Sequence, residues 1–103
     1  MLPQSMERRL RAPDILGLDS RAEIRKRALA LLEQMPEGAG RLVIDLTETR
    51  QVYSAGLGAL MLIQRHAADR RQAVALCGAN EEIRFLLVLT KLADLFELDC
   101  VRA

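Results

Sequence analysis

Residues 52–63 read Val-Tyr-Ser-Ala-Gly-Leu-Gly-Ala-Leu-Met-Leu-Ile. The segment starts as a short apolar strand, passes through a polar turn with one serine, and continues as an apolar helix. A hydroxyl at this junction lies beside the unpaired N–H groups and the positive dipole end of the helix. We therefore expect Ser54 either to cap the helix or to carry a phosphate group.

The helix that follows Ser54 has more apolar residues than one buried face requires. Its apolar side chains fall into two stripes, with Leu57, Leu60 and Met61 in one and Ala59, Leu62 and Ile63 in the other. One stripe must face a sheet, and in so small a domain the other is left at least partly exposed. This surplus of apolar residues favours a surface for a partner protein beside Ser54. The alternative is that the chain termini bury the helix.

Two nearly continuous apolar runs predict adjacent central strands, one from Leu42 to Leu46 and one from Ala73 to Cys77. Such runs are typical of strands that are covered on both faces. Weaker patterns predict an edge strand from Met6 to Arg11, a short strand from Ile15 to Leu18, and a last strand from Leu98 to Val101.

Helices are predicted between these strands. Ser20 with Glu23 has the spacing of a capping box, and Asn80 is a good N-cap residue because two glutamates follow it. Asp94 to Phe96 is expected to add a short helical turn. Strands that alternate with helices predict an α/β domain, and 103 residues predict a single domain over 1–103.

Composition argues against several classes of protein. Fifteen basic and fourteen acidic residues leave a net charge of +1, which lacks the basic character of a nucleic-acid binder. No apolar run reaches the roughly 18 residues of a membrane span, and the first residues lack the order of a signal peptide. We expect a cytoplasmic protein that neither binds nucleic acid nor inserts into a membrane.

The residues that enzymes require are sparse. His66, the only histidine, is about three helical turns or roughly 18 Å from Ser54, too far to act as its base. Asp45 is expected to be a hydrogen-bonded carboxylate at a strand end rather than a phosphoacceptor. Cys77 and Cys100 lack metal-ligand spacing and are expected to be buried thiols. We expect no catalytic residue, no metal and no cofactor.

From residue 42 onward, four segments follow one another: Leu-Val-Ile-Asp-Leu, Ser-Ala-Gly-Leu-Gly-Ala-Leu, Ala-Val-Ala-Leu-Cys-Gly and Glu-Ile-Arg-Phe-Leu-Leu-Val-Leu-Thr-Lys-Leu-Ala-Asp-Leu-Phe. This succession resembles the STAS domain, in particular its bacterial anti-sigma factor antagonists. The resemblance covers about the last 60 residues well and the first 40 loosely. It implies a small STAS-like domain, a mixed β-sheet with helices packed mainly on one face.

In that family the turn usually reads Asp-Ser-Ser-Gly, and a kinase of the anti-sigma type phosphorylates the first serine. That serine matches Ser54, and the resemblance implies a PP2C-type phosphatase that restores the unmodified form. Tyr53 replaces the usual aspartate, Ala55 replaces the second serine, and Lys91 stands where a glycine commonly follows the threonine of the third helix.

The resulting hypothesis is a non-enzymatic switch. The unphosphorylated protein sequesters an anti-sigma factor that is also a serine kinase, and phosphate on Ser54 ends the binding. The expected partner-binding residues are Tyr53, Ser54, Ala55, Gly56, Leu57, Leu60 and Ile63. The alternative is a STAS accessory subunit of a transporter or of a lipid-trafficking complex, which is not phosphorylated.

Overall fold

The computed structural model describes residues 6–98 of the chain, and strands alternate with helices along them. The elements are β1 (Glu7–Arg11), β2 (Ile15–Leu16), α1 (Arg21–Glu33), β3 (Arg41–Asp45), β4 (Gln51–Val52), α2 (Ser54–Asp69), β5 (Ala73–Cys77), α3 (Glu81–Leu89) and a 3-10 helix (Leu92–Leu95). The predicted α/β class is confirmed, as are the edge strand near the start and the short helical turn near the end.

The main sheet has the strand order β1-β3-β5. β3 lies opposite β5 with Val43 facing Ala75, so the two apolar runs are adjacent strands as predicted. On the other side of β5, Ala75 forms a bridge with Glu97, where the expected last strand would begin. Residues 99–101 of that expected strand lie outside the described residues.

Every strand pairing within residues 6–98 is parallel, although a mixed sheet was expected. The reason is the connectivity, because a helix crosses over between β1 and β3 and another between β3 and β5. β2 and β4 form a second, two-stranded sheet just beyond the ends of β1 and β3. This short sheet leads directly into α2.

The two faces of the main sheet are covered differently. Leu10, Leu42 and Ile44 belong to one large core together with the buried residues of all three helices. Val43, Ala75 and Cys77 form a small separate cluster on the opposite face. The alternation of side chains along a strand therefore places the helices on one face, as expected.

The caps of α1 and α3 differ in how well the sequence predicted them. The Asn80 side chain accepts a hydrogen bond from Ile83 N at 2.8 Å, which confirms the cap of α3. The capping box at Ser20 is wrong, because the Ser20 hydroxyl accepts from Gly17 N at 3.1 Å and donates to the Ile15 carbonyl. The Ser20 hydroxyl thus stabilises the turn before α1 and does not cap the helix.

Cys77 corrects another expectation. It is buried as expected, but it is disulfide-bonded rather than a thiol. The other cysteine of the chain, Cys100, lies outside the described residues. The thiol prediction failed because it rested on the lack of metal-ligand spacing, which does not exclude a disulfide.

Candidate partner-binding site

The short second sheet sets the start of α2. Tyr53 has an extended backbone and donates its N–H to the Leu16 carbonyl at 2.9 Å, which continues the pairing of β4 with β2. The chain turns into the helix one residue later. A Cβ on Gly56 would lie 2.2 Å from the Leu16 carbonyl oxygen, so only glycine lets the first turn of α2 pack this closely on β2.

Ser54 is the first residue of α2 and is exposed. The N-cap is Tyr53, and within residues 6–98 the Ser54 hydroxyl forms no hydrogen bond. The first intrahelical bond at this end runs from Leu57 N to the Tyr53 carbonyl. The alternative that Ser54 caps α2 is therefore wrong, because the N-cap residue with the extended backbone is Tyr53. The Ser54 hydroxyl remains accessible beside the N-terminus of the helix.

Tyr53 lies next to Ser54, and its side chain has its own contacts. Its hydroxyl donates to Gln51 Oε1 at 2.6 Å, and its ring lies against Gly17, where an added Cβ would be 3.1 Å from the ring carbon Cδ2. The side chain is nevertheless 52% exposed. These contacts hold the ring on the side of β4 and the turn before α1, and leave part of it available to a partner.

The two sides of α2 are clearly different. We call the buried residues Gly56, Ala59, Leu60, Ile63 and Ala67 the inner face. We call Ser54, Gly58, Met61, Leu62 and Arg65 the outer face. Met61 and Leu62 are 48% and 45% exposed, so the helix presents surplus apolar surface to solvent, as predicted.

The predicted assignment of residues to the two sides needs a correction. Leu60 and Ile63 were expected to face outward, but both are 0% exposed, and Gly56 is buried against β2. Leu57 is partly buried and packs on the core. Each predicted stripe mixed inner and outer residues, because the sequence did not show at which angle the helix meets the sheet.

The outer face of α2 forms one wall of an open groove, which we call the α1–α2 groove. Its volume is about 1030 Å³. The lining residues come from the start of α1, from α2 and from the 3-10 helix: Arg21, Ala22, Arg25, Ser54, Ala55, Gly58, Ala59, Met61, Leu62, Gln64, Arg65 and Leu95. Ser54 is therefore at one end of a groove with an apolar floor.

The charged residues in the groove are all basic. Arg21, Arg25 and Arg65 line it, and no aspartate or glutamate among residues 6–98 does. This cluster was not identified from the sequence. The signal available was the four-residue spacing of Arg21 and Arg25, which places both on one side of α1. That this side would face α2 required the tertiary structure.

Other polar groups have structural roles. His66 Nε2 lies 3.2 Å from Glu33 Oε2, near the C-terminal ends of α2 and α1 and far along the helix from Ser54. Asp45 Oδ1 accepts hydrogen bonds from the hydroxyl and the N–H of Thr47, and these bonds hold the pKa of the Asp45 carboxyl below its usual value. Among residues 6–98, no three His, Cys, Asp or Glu side chains are grouped as metal ligands.

The geometry agrees with the comparison to known families. The family described as "Mlab, STAS domain" matches residues 4–98. The chain belongs to the STAS domain family. A STAS-domain containing protein of Pseudomonas aeruginosa strain UCBPP-PA14 is 29% identical over 58 residues, which are 56% of this chain and 57% of that protein. The matched STAS segment thus spans little more than half of this relative's length.

Solved structures share the fold at low sequence identity. A protein of Thermotoga maritima, to which an anti-sigma factor antagonist role is ascribed, has a TM-score of 0.74 at 18% identity, over 89% of this chain and 77% of that one. A sulfate transporter family protein of Wolinella succinogenes has 0.70 at 13%, over 91% and 73%. The anti-sigma factor antagonist SpoIIAA, unphosphorylated, has 0.67 at 14%, over 98% and 86%.

These comparisons confirm the predicted STAS fold. At sequence identities this low, the similar solved structures establish the fold of this chain. Its function has to be inferred from the geometry of the site. Within the part of the STAS domain that the structure describes, no helix is both long and apolar enough to cross a membrane.

Proposed function

We propose that this STAS domain is a non-enzymatic anti-sigma factor antagonist that acts in the cytoplasm. In this proposal the unphosphorylated protein binds and sequesters an anti-sigma factor with serine kinase activity. The observation that carries the proposal is the exposed hydroxyl of Ser54, which has no bond within residues 6–98 and adjoins exposed apolar residues on the same helix. A hydroxyl in this place is available both to a kinase and to a bound partner.

Phosphorylation of Ser54 would change binding more than folding. A phosphoserine adds about −1.5 to −2 charges at pH 7. At the N-terminus of α2 this charge is favourable to the helix itself. A partner that contacts the neutral hydroxyl would meet an unpaired or repelling charge, which costs several kcal/mol. A loss of about 2.7 kcal/mol corresponds to a hundredfold weaker complex.

The switch needs two further proteins. The bound anti-sigma factor would transfer phosphate from ATP to Ser54 and then release the antagonist. A phosphatase of the PP2C type would remove the phosphate and return the protein to its binding form. The partner surface would comprise Tyr53, Ser54, Ala55 and the exposed part of Leu57, together with Met61 and Leu62 in place of the buried Leu60 and Ile63.

The test compares Ser54→Ala and Ser54→Asp with the wild-type protein. The partner is identified by pull-down from native lysate with mass spectrometry, and its Kd is measured for each variant by calorimetry. We expect Ser54→Ala to bind like the wild type and to accept no phosphate, and Ser54→Asp to bind at least about tenfold more weakly. Ser20→Ala is the matched control, since Ser20 is a serine outside the groove.

Two results would contradict the proposal. One is a Ser54→Asp variant with unchanged Kd together with no phosphate transfer to the wild type from the partner kinase and ATP. The other is phosphate transfer that persists in the Ser54→Ala variant, because Ser54 would then not be the acceptor.

A second candidate function is an accessory subunit of a transporter or lipid-trafficking complex. The family match to the Mlab type of STAS domain supports it, as does the fold similarity to a sulfate transporter family protein. Tyr53 and Ala55 also support it, because they replace the usual residues around the acceptor serine. This candidate predicts that the same face of α2 binds a transporter subunit and that Ser54 is never phosphorylated in cells, which phosphoproteomics of the native protein would test.

A further inference from the structure

We propose that the α1–α2 groove binds an acidic amphipathic helix of the partner. This inference rests on the proposed function in that it places the partner at the Ser54 end of α2. It adds the chemistry of the bound segment, which is one apolar stripe flanked by aspartate or glutamate. The shape of the groove and its charge support this occupant independently.

The floor of the groove suits the apolar stripe of a helix. Gly58, Met61 and Leu62 line it from α2, and Leu95 lines it from the 3-10 helix. The exposed positions on α2 recur at helical spacing from Ser54 to Arg65, which extends over about 16 Å. Three turns of a partner helix would cover this length with side chains at i, i+3, i+4, i+7 and i+11.

Gly58 also indicates that another backbone can approach α2 closely. A Cβ added there would meet no atom of this chain within 4 Å, so the fold itself does not require glycine at this position. Glycine inside a helix lowers its stability relative to alanine. A glycine that the chain does not need, facing an open groove, is suited to backbone contact with another element.

The arginines of the groove indicate the charge of that element. Arg21, Arg25 and Arg65 form no ion pair within residues 6–98, so their guanidinium groups are available to carboxylates of a partner. Guanidinium groups bind carboxylates through two parallel hydrogen bonds. Unpaired arginines along an apolar floor are therefore complementary to an acidic amphipathic helix.

Two other classes of ligand fit less well. Small-molecule sites enclose most of the surface of their ligand, and this groove is open to solvent. Nucleic acid is disfavoured because the whole chain has a net charge of only +1. The location of Ser54 in the same groove also favours an acidic partner, because a phosphate there would both repel carboxylates and compete for the arginines.

Photo-crosslinking locates the bound segment. Benzoylphenylalanine replaces Leu62 in the groove or, as a control, Val88, which is exposed on α3. Each protein is irradiated in native lysate, and the cross-linked peptide is sequenced by mass spectrometry. We expect position 62, and not position 88, to capture a segment with apolar residues at helical spacing and acidic flanks. Cross-linking from position 88 alone, or a basic segment at position 62, would overturn the proposal.

The charge is tested with a fluorescent synthetic peptide of the captured segment. Arg25→Glu should weaken its binding about tenfold. Arg84→Glu on α3 makes the same change of charge outside the groove and should leave the Kd within about twofold. Replacement of the peptide's flanking glutamates by lysine should restore binding to the Arg25→Glu protein. An Arg25→Glu protein with unchanged Kd would contradict an acidic occupant.

The same peptide separates this inference from the proposed switch. If the peptide binds in the groove and Ser54→Asp leaves its Kd unchanged, the results support the groove proposal and contradict the phosphorylation switch. If Ser54→Asp prevents binding of the intact partner while position 62 captures nothing, the results support the switch and contradict the groove proposal.

Discussion

Leu60 and Leu62 are two residues apart on α2 and have opposite environments. Leu60 is 0% exposed and belongs to the core, whereas Leu62 is 45% exposed and lines the α1–α2 groove. Two residues of helix correspond to a rotation of about 200°, so identical side chains this close in sequence lie on opposite sides. The inner face of α2 thus stabilises the fold, and the outer face is available to bind a partner.

The glycines of α2 repeat this division. Gly56 is on the inner face, where an added Cβ would clash with the Leu16 carbonyl, and Gly58 is on the outer face, where it would meet nothing. A residue type therefore carries no fixed role along this helix. Its position relative to the sheet decides whether it stabilises the fold or remains available to a partner.

The largest expected effect on stability is that of Leu60→Ala. Removal of this buried side chain should lower the free energy of unfolding by about 2–5 kcal/mol, because it leaves a cavity in the core. The same change at Leu62 should alter it by less than about 0.5 kcal/mol. Urea unfolding of both variants measures the difference, and equal losses would show that the two faces are not distinct.

The two glycines provide the next comparison. Gly56→Ala should cost about 1–3 kcal/mol of stability, because the added methyl group forces α2 away from β2. Gly58→Ala should raise stability by about 0.5–1 kcal/mol, since alanine favours the helix and has space there. Thermal melting of the two variants should therefore shift in opposite directions, and a shift in the same direction would contradict the assigned faces.

A site outside α2 tests whether a substitution elsewhere in the domain can lower stability without changing partner affinity. Thr47→Val removes the hydroxyl that donates to Asp45 and should cost about 1 kcal/mol at neutral pH, with partner affinity unchanged. The folded-state pKa of Asp45 lies below the usual value of 3.8, so its contribution is present above that pH and is lost as the pH falls through the folded pKa. When unfolding is measured from about pH 7 downward, the difference in stability between the two proteins should become smaller below pH 3.8. A constant difference would contradict this role.

The smallest expected change in stability accompanies a large change in binding. Leu62→Glu should leave the free energy of unfolding within about 0.5 kcal/mol, because its side chain is already half exposed. Its carboxylate would lie on the apolar floor of the groove opposite an acidic partner, and binding should fall at least about tenfold. Calorimetry with the identified partner tests this, and an affinity within about threefold of wild type would place the partner surface elsewhere.

Much of the fold could be predicted from the sequence because local signals agreed with the tertiary structure. The apolar run Ala73 to Cys77 became β5 with the same bounds, and Asn80 caps α3 as its side chain and the following glutamates indicated. Lys91 is different, because it has a positive φ of 66°, which its residue type disfavours, at the position where the family commonly has glycine. For β5 and the cap of α3, the local sequence pattern and the tertiary structure agree.

The candidate site was less predictable, because it depends on how the elements pack. The sequence indicated a surplus apolar stripe on α2 but assigned Leu60 and Ile63 to the outside. Helical periodicity gives the width of an apolar face and not which side meets the sheet. Arg21 and Arg25 are on a different helix from Ser54, with β3 and β4 between them in the chain, so only the packing of α1 on α2 brings them beside it.

The most direct test of the division between folding and binding is to place a phosphoserine at position 54 during translation. Melting temperature and partner Kd are then measured on the same homogeneous sample and on the unmodified protein. We expect the melting temperature to stay within a few degrees, because the charge lies at the N-terminus of α2, and the Kd to rise about a hundredfold. An unchanged Kd would contradict the account, and so would a loss of binding that is matched by unfolding of the domain.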